Sequence, residues 1–208
     1  MNPPSCRGLY AITDAPLIPD DRLTTAVEQA ILGGARLIQY RDKSHDAARR
    51  LAQAEALNKL CRLHQVPLII NDDVELAAQV SAAGVHIGQD DPAFAAARAR
   101  LGENAIIGVS CYDRLDLALE AAQAGADYIA FGAFFPSPTK PTEIRASIDL
   151  LRKARAALSV PIVAIGGITP DNAPLLLDAG ADVLAVVSGV FGQPDIQVAA
   201  RRYAALFA

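Results

Sequence analysis

Eight short apolar runs, each followed by a stretch with helical spacing, predict a (β/α)8 TIM barrel. Three observations carry this reading. The runs are apolar along nearly their whole length, as strands are in a parallel sheet covered by helices. Strand and helix alternate eight times within 208 residues, about the minimum length for a closed barrel, which favours it over an open doubly wound sheet. The segments GGARLIQYR, AAGVHIGQD, AGADYIAFG and AGADVLAVV echo one another and introduce strands two, four, six and eight. Each carries a glycine at a helix end, a short link and a strand. No low-complexity segment or linker interrupts the series, so a single domain spanning 1–208 is expected.

Taken in order, GLYAIT (8–13) is a strand stopped by Asp14, Pro16 and Pro19, and a helix follows from Asp21 until Gly33 and Gly34 end it. LIQYR (37–41) precedes a helix over 45–63, and PLIIN (67–71) a shorter one over 74–83. VHIG (85–88) leads to 92–101, and AIIGVS (105–110) to 115–124. YIAFG (128–132) opens onto the long connection GAFFPSPTKPTE, with a helix over 144–157 beyond it. IVAIGG (162–167) and VLAVVS (183–188) introduce a helix over 170–179 and a last one ending near Phe207.

Composition narrows the function. Hydrophobic residues make up 52% of the chain, enough for a full core. Nineteen Lys and Arg against 23 Asp and Glu leave a formal charge of -4, which argues against a nucleic-acid or anionic-membrane surface as the main partner. Cys6, Cys61 and Cys111 show neither zinc nor disulfide spacing, and free thiols suit a reducing compartment. The start MNPPSCRGLY lacks the pattern of a signal peptide, and no apolar run approaches the ~18 residues of a membrane span. A cytoplasmic protein is expected.

Active sites of such barrels lie at the C-terminal ends of the strands. Those ends are polar here: Gln39, Arg41 and Lys43; Asn71 and Asp72; Gln89, Asp90 and Asp91; Ser110; Ser137, Thr139 and Lys140; Gly166 and Gly167; Ser188 and Gly189. Neighbouring strands lie roughly 4.8 Å apart, so Asp72 and Asp91 leave one edge close together and repel unless a cation or proton sits between them. Hydrated magnesium is held by one or two carboxylates plus substrate phosphate oxygens. Capping of the following helices accounts equally for Asp91 before Pro92, and better for Asp73. Arg41 and Lys43 share one side of an extended segment, with Asp42 on the other, which favours a cationic clamp over a solvated charge run. The glycines at 166–167 and the Ser188–Gly189 turn suit a phosphate cradle, although tight turns also demand such residues. The long connection reads as a lid carrying Lys140. His45 and His64 fall in helical stretches and His86 inside a strand, where a core hydrogen bond explains it better than catalysis. Cys111 has no evident base partner.

QYRDK (39–43), NDD (71–73), HIGQDD (86–91), GVS (108–110), SPTK (137–140), AIGGIT (164–169) and VVS (186–188), in this order, closely resemble the thiamine phosphate synthase family over almost the whole chain. The resemblance implies an alkyl-group transferase that joins hydroxymethylpyrimidine diphosphate to a thiazole phosphate, releasing diphosphate. It implies Mg2+ on Asp72 and Asp91. It assigns the pyrimidine diphosphate to Arg41, Lys43, Asn71, Ser110 and Lys140, of which Arg41, Lys43, Ser110 and Lys140 act in catalysis. Ser137, Thr139, Gly167, Val187 and Ser188 take the thiazole phosphate. Gln39, Tyr40, Asp42 and Pro138 join the substrate-binding set through the same motifs. Ser137 stands where the family often has threonine, retaining the hydroxyl. Small molecules are the implied partners, with neither nucleic acid nor membrane, and self-association into a homo-oligomer stays open. A thiazole tautomerase, another isomerase of phosphorylated metabolites, or a barrel that only binds a phosphorylated ligand shares the cradle without requiring the metal and cation set.

Overall fold

The computed structural model describes residues 7–88, 94–136 and 144–208. Eight parallel strands close into a barrel in sequence order: β1 (Gly8–Ile12), β2 (Ala35–Tyr40), β3 (Leu68–Asn71), β4 (Gly84–Ile87), β5 (Ile106–Tyr112), β6 (Tyr128–Gly132), β7 (Ile162–Ile165) and β8 (Val183–Val186). β8 pairs with β1 through Gly8 and Val183 to complete the ring. Around it lie α1 (Leu23–Leu32), α2 (Ala47–Leu63), α3 (Val74–Gln79), α4 (Phe94–Leu101), α5 (Leu115–Gln123), α6 (Ile148–Ala157), α7 (Ala173–Asp178), α8 (Ser188–Phe191) and α9 (Ile196–Ala204). The expected barrel is therefore the observed one, with differences at helix ends.

Those differences have local causes. α6 starts at Ile148 because the Ser147 hydroxyl accepts the Leu150 N–H at 3.0 Å and fixes the first turn there. α3 stops at Gln79, and Ser81 beyond it adopts φ 52°. The last helix is two: Gly192 and Pro194 separate α8 from α9, which Asp195 caps by accepting the Val198 N–H at 2.9 Å. For the 92–101 helix, the described part begins at Phe94.

Alternation along the strands divides the apolar residues into two bodies. Leu9, Ala11, Ile38, Leu68, Ile70, Ile129, Phe131 and Leu184 face outward into the layer beneath the helices. Tyr10, Ile12, Leu37, Ile69, Tyr128, Ala130, Val163, Val183 and Ala185 fill the barrel itself. The second body is a packed interior, not a channel.

The sequence echo has a structural counterpart. Asp127, in the link before β6, accepts the Ile107 N–H of β5 at 2.8 Å and Arg98 of α4 at 2.7 Å. Asp182, at the same place before β8, accepts the Ile162 N–H of β7 at 2.8 Å and Arg155 of α6 at 2.8 Å. Each aspartate staples the start of the preceding strand to the helix that leads into it. The echo member at β2 carries Arg36 in this place, and before β4 the residue that bonds the preceding strand in the same way is Ala83, through its N–H to the Leu68 carbonyl, so the staple belongs to the second half of the barrel. Asp127→Ala leaves a strand N–H and a guanidinium without their acceptor. It is expected to lower unfolding free energy by about 2 kcal/mol, the usual cost of stranding such donors, read as a lower urea midpoint with an unchanged slope.

Candidate active site

The β2 end is built by its neighbour β1. The Arg41 guanidinium reaches Asp14 at 2.6 Å, and the Arg41 N–H donates to the Thr13 hydroxyl at 3.0 Å. Thr13 in turn donates its N–H to the Gln39 carbonyl at 2.9 Å. Thr13 and Asp14 are both buried. A largely buried carboxylate against a guanidinium fixes a side chain far better than an exposed pair does, so Arg41 is aimed before any ligand arrives.

One strand further on, Lys43 Nζ and Asn71 Nδ2 converge on the same oxygen of Asp72, the amide at 2.6 Å. Asp72 has φ 63°, a left-handed conformation that aspartate tolerates better than most residues. Its N–H donates to the His86 carbonyl at 2.8 Å, tying β3 to β4. The Lys43 side chain is 61% exposed and that of Asp72 30%, so this ion pair is weak and exchangeable. Asp73 turns away: it caps α3 through the Leu76 N–H at 2.8 Å and takes Arg50 at 2.7 Å. Asp91, together with Gln89 and Asp90, lies outside the described residues.

Tyr40 and Asp42 do not join this group. The Tyr40 hydroxyl donates to Gln53 of α2 at 2.8 Å, and Asp42 accepts the Ser44 N–H at 2.8 Å and lies 3.6 Å from Arg49. Both pack toward α2, on the other side of the period-two alternation from Gln39 and Arg41. Burial raises the Tyr40 phenol well above its ordinary range, helped by the neighbouring Asp42 charge. At Asp42 burial works upward too, but the Ser44 hydrogen bonds, Arg49 and Tyr40 outweigh it and hold the carboxyl below its usual range.

Inside the barrel a continuous polar chain crosses the apolar packing. Gln39 Nε2 lies 2.7 Å from the Tyr10 hydroxyl, which lies 3.0 Å from that of Tyr128. His86 Nδ1 is 3.0 Å from the Tyr128 hydroxyl, and Nε2 is 2.8 Å from Ser110 Oγ. The His86 and Tyr128 rings stack with centroids 5.6 Å apart. Gly108 makes room for this: a Cβ there would stand 1.9 Å from the Tyr128 ring. His86 is thus the hydrogen-bonded core residue that its position in a strand suggests.

Across the mouth, Gly166 and Gly167 adopt φ 104° and 62°, and a Cβ on Gly167 would meet the Pro136 carbonyl oxygen at 2.3 Å. Asn172 holds the turn, donating to the Gly167 carbonyl at 3.1 Å and accepting the Thr169 N–H at 2.8 Å. Tyr203 of α9, buried, donates its hydroxyl to the Ile168 carbonyl at 2.9 Å. Val187 and Ser188 follow β8 as the entry to α8, whose leading N–H groups lie outside the helical ladder. Ser137, Pro138, Thr139 and Lys140 lie outside the described residues.

Comparison with known proteins decides the family. A model described as thiamine monophosphate synthase matches residues 9–190. The chain is 56% identical to thiamine-phosphate synthase of Nitrosococcus oceani, over 96% of this chain and 92% of that one. It is 57% identical to that of Thioalkalivibrio sulfidiphilus, over 97% and 95%. The structure of thiamine phosphate pyrophosphorylase from Pyrococcus furiosus superposes with a TM-score of 0.86 at 35% identity, covering 96% of this chain and 94% of that one. This chain belongs to the thiamine monophosphate synthase family.

Within that family the sites read from motifs are only part of what the structure assembles. Thr13, Asp14, Tyr10, Tyr128, Asn172 and Tyr203 escaped the sequence reading. Asp14 alone left a usable signal, an acid directly after the first strand in a ring of polar strand ends. A cavity of about 520 Å³ lies at the opposite, N-terminal end of the barrel, bordered by Asn58, Arg62, Gln65 and Leu101. None of the residues above touches it, and barrel enzymes place chemistry at the other face. Cys111, beside Ser110, is buried, and burial together with the Asp116 charge pushes its thiol up to about 12. It carries almost no thiolate at neutral pH, so Cys111→Ala is expected to retain turnover in a steady-state assay. Tyr203→Phe removes the anchor of the glycine turn. It is expected to cost about 1 kcal/mol of stability, seen by thermal denaturation, and to weaken phosphate protection of the protein against unfolding.

Proposed function

We propose that this chain joins hydroxymethylpyrimidine diphosphate to a thiazole phosphate, forming thiamine phosphate and diphosphate with Mg2+. The observation that carries it is the convergence of Lys43 and Asn71 on Asp72, next to an Arg41 already aimed by Asp14, on a barrel of this family. Cations and an acid side by side suit a metal-bound diphosphate; an isomerase of a phosphorylated sugar or thiazole has no use for the full set.

Mg2+ fits the residues present. Asp72 offers a hard oxygen donor at the mouth, and among the described residues no group of three or more His, Cys, Asp or Glu forms a cage of the kind other metals take. Magnesium prefers one or two carboxylates and completes its shell with water and phosphate oxygens. Asp72 and Asp91 are the proposed protein ligands, and the ion would neutralise charge that grows on the leaving diphosphate.

The chain's own groups do the rest. Lys43 exchanges its weak pair with Asp72 for a phosphate oxygen. Arg41 presents a guanidinium whose orientation Asp14 has already fixed, and Asn71 and Ser110 offer neutral donors. Lys140, on the connection after β6, supplies a further cation. These charges favour departure of the diphosphate before the thiazole nitrogen attacks the pyrimidine methylene, a course that needs no strong general base. Opposite them, the Gly166–Gly167 turn and the Val187–Ser188 entry to α8, with Ser137 and Thr139, hold the phosphate of the second substrate.

Mixing both substrates with Mg2+ is expected to yield diphosphate and thiamine phosphate, and omitting any one component to abolish both. Full activity without a divalent cation removes the metal from the reading. Asp72→Asn and Lys140→Ala are each expected to lower turnover about a hundredfold or more, the usual cost of losing a charge aimed at the transition state. Near-normal rates for both at saturating Mg2+ overturn those roles. Asp14→Asn, which keeps the shape but not the charge behind Arg41, is expected to cost about tenfold in kcat/KM for the pyrimidine diphosphate.

A further inference from the structure

We propose that the Tyr203 hydroxyl is a spacer between the two halves of the phosphate cradle, and that it sets how far the Gly166–Gly167 turn stands from the entry to α8. Its oxygen meets both sides. On one it donates to the Ile168 carbonyl at 2.9 Å. On the other it lies against Gly189, where a Cβ would stand 2.2 Å away. Only glycine admits an oxygen that close. The two loops follow different strands, β7 and β8, and this one atom touches each.

Tyr203 can act as a spacer because its helix is held in place. α9 packs over the Gly33–Gly34 turn between α1 and β2: a Cβ on Gly33 would meet the Ala200 Cβ and the Gln197 carbonyl oxygen at 2.6 Å, and one on Gly34 the Ala204 Cβ at 2.7 Å. The glycine pair that ends α1 therefore also lets α9 come close. Tyr203 is 2% exposed, and close packing leaves such a ring little room to swing. Burial pushes its phenol up to about 12, so the hydroxyl keeps its proton for Ile168 at neutral pH.

A phosphate between two loops is bound well only when the donors of both stand at hydrogen-bond distance at once. The gap between the loops therefore matters as much as the donors do. Tyr203 touches no reacting atom and is a positioning residue. Its effect falls on the substrate that this cradle holds, not on the one held across the mouth by Arg41, Lys43 and Asp72. That the cradle holds the thiazole phosphate rests on the function proposed above. That one hydroxyl spaces the two loops does not.

Tyr203→Phe is expected to raise KM for the thiazole phosphate about tenfold, as one lost hydrogen bond does, with KM for the pyrimidine diphosphate unchanged. An equal rise in both, or in neither, overturns the role. Asp127→Ala, at the other end of the barrel, controls for loosening of the fold: it is expected to leave both KM values unchanged, and a rise confined to the thiazole phosphate there as well overturns the role. The contact itself is tested by rescue. Gly189→Ala drives a Cβ into the hydroxyl, whereas with Tyr203→Phe the nearest ring atom is 3.2 Å from that Cβ, and the Val186 methyl at 2.9 Å is common to both variants. The double variant is expected to bind the thiazole phosphate more tightly than Gly189→Ala alone, or to fold where that variant does not. Two losses that simply multiply overturn the contact. Where neither folds, the KM split of Tyr203→Phe decides.

Inorganic phosphate separates the spacer from the substrate reading. Its affinity, read from the rise in Tm with phosphate concentration in an Arg41→Ala/Lys43→Ala background, is expected to fall about tenfold with Tyr203→Phe. That fall in a protein whose wild type makes no thiamine phosphate upholds the spacer and sinks the substrate reading. Phosphate affinity indifferent to Tyr203, in a protein whose wild type does make it, overturns the spacer and leaves the substrate reading standing.

Discussion

Closure of eight parallel strands imposes one constraint on everything else: every second side chain must enter a single shared interior. Below the mouth that interior takes Ile12, Leu37, Ile69, Val163 and Val183. Toward the mouth the same inward positions become Asn71, His86 and Ser110. The outward positions between them pack under helices. A group at the mouth therefore meets inward residues from several strands at once, and a shift of β2 by one residue would exchange Gln39 for Tyr40.

The outer layer then fixes what the barrel aims. Arg49 and Arg50, consecutive on α2, reach different loops. Arg49 lies 3.1 Å from Asp20 and 3.6 Å from Asp42, and Arg50 lies 2.7 Å from Asp73. Asp42 stands between Arg41 and Lys43, and Asp73 directly follows Asp72. One helix thus holds the acids that neighbour Arg41, Lys43 and Asp72 in the chain. With each acid anchored, its neighbours have less backbone freedom to lose on binding, which is the advantage of a prearranged site. On the opposite side α9 does comparable work through Tyr203, whose hydroxyl grips the Ile168 carbonyl behind the glycine turn.

How much of this the sequence disclosed depended on whether a signal was local. Strand and helix order, the barrel, the glycine turn and the polar strand ends all follow from runs and spacings a few residues long. Asp73 as a cap and His86 as a hydrogen-bonded core residue followed from their positions in the same way. Helix ends were less legible, because Ser147, Asp195 and the Gly192–Pro194 break compete with an otherwise continuous pattern. The contacts of Tyr40 and Asp42 with α2 were not legible in QYRDK read as one motif, because alternation divides it between two faces. Tyr10 and Tyr128 were invisible for a different reason: they lie 118 positions apart, and each alone reads as an ordinary aromatic in a strand. Asp14 lay in plain view, but its partner Arg41 is 27 positions away.

The polar chain in the interior is the feature that packing alone does not require. Apolar residues of similar volume at Tyr10, Tyr128 and His86 would fill the barrel without placing four buried polar groups in register, and a partly satisfied set costs more than an apolar core. Its members are inward residues from β1, β2, β4, β5 and β6, so it spans more than half of the ring, and Gly108 gives up a side chain to admit the Tyr128 ring. It ends at Ser110 on β5, separated by β4 from the Asp72 loop that the His86 carbonyl holds. His86 therefore touches both halves of the proposed diphosphate site, its ring on Ser110 and its backbone on Asp72. A movement of this one residue would disturb Ser110 and the proposed metal ligand Asp72 together, and its ring stacks on Tyr128 with centroids 5.6 Å apart.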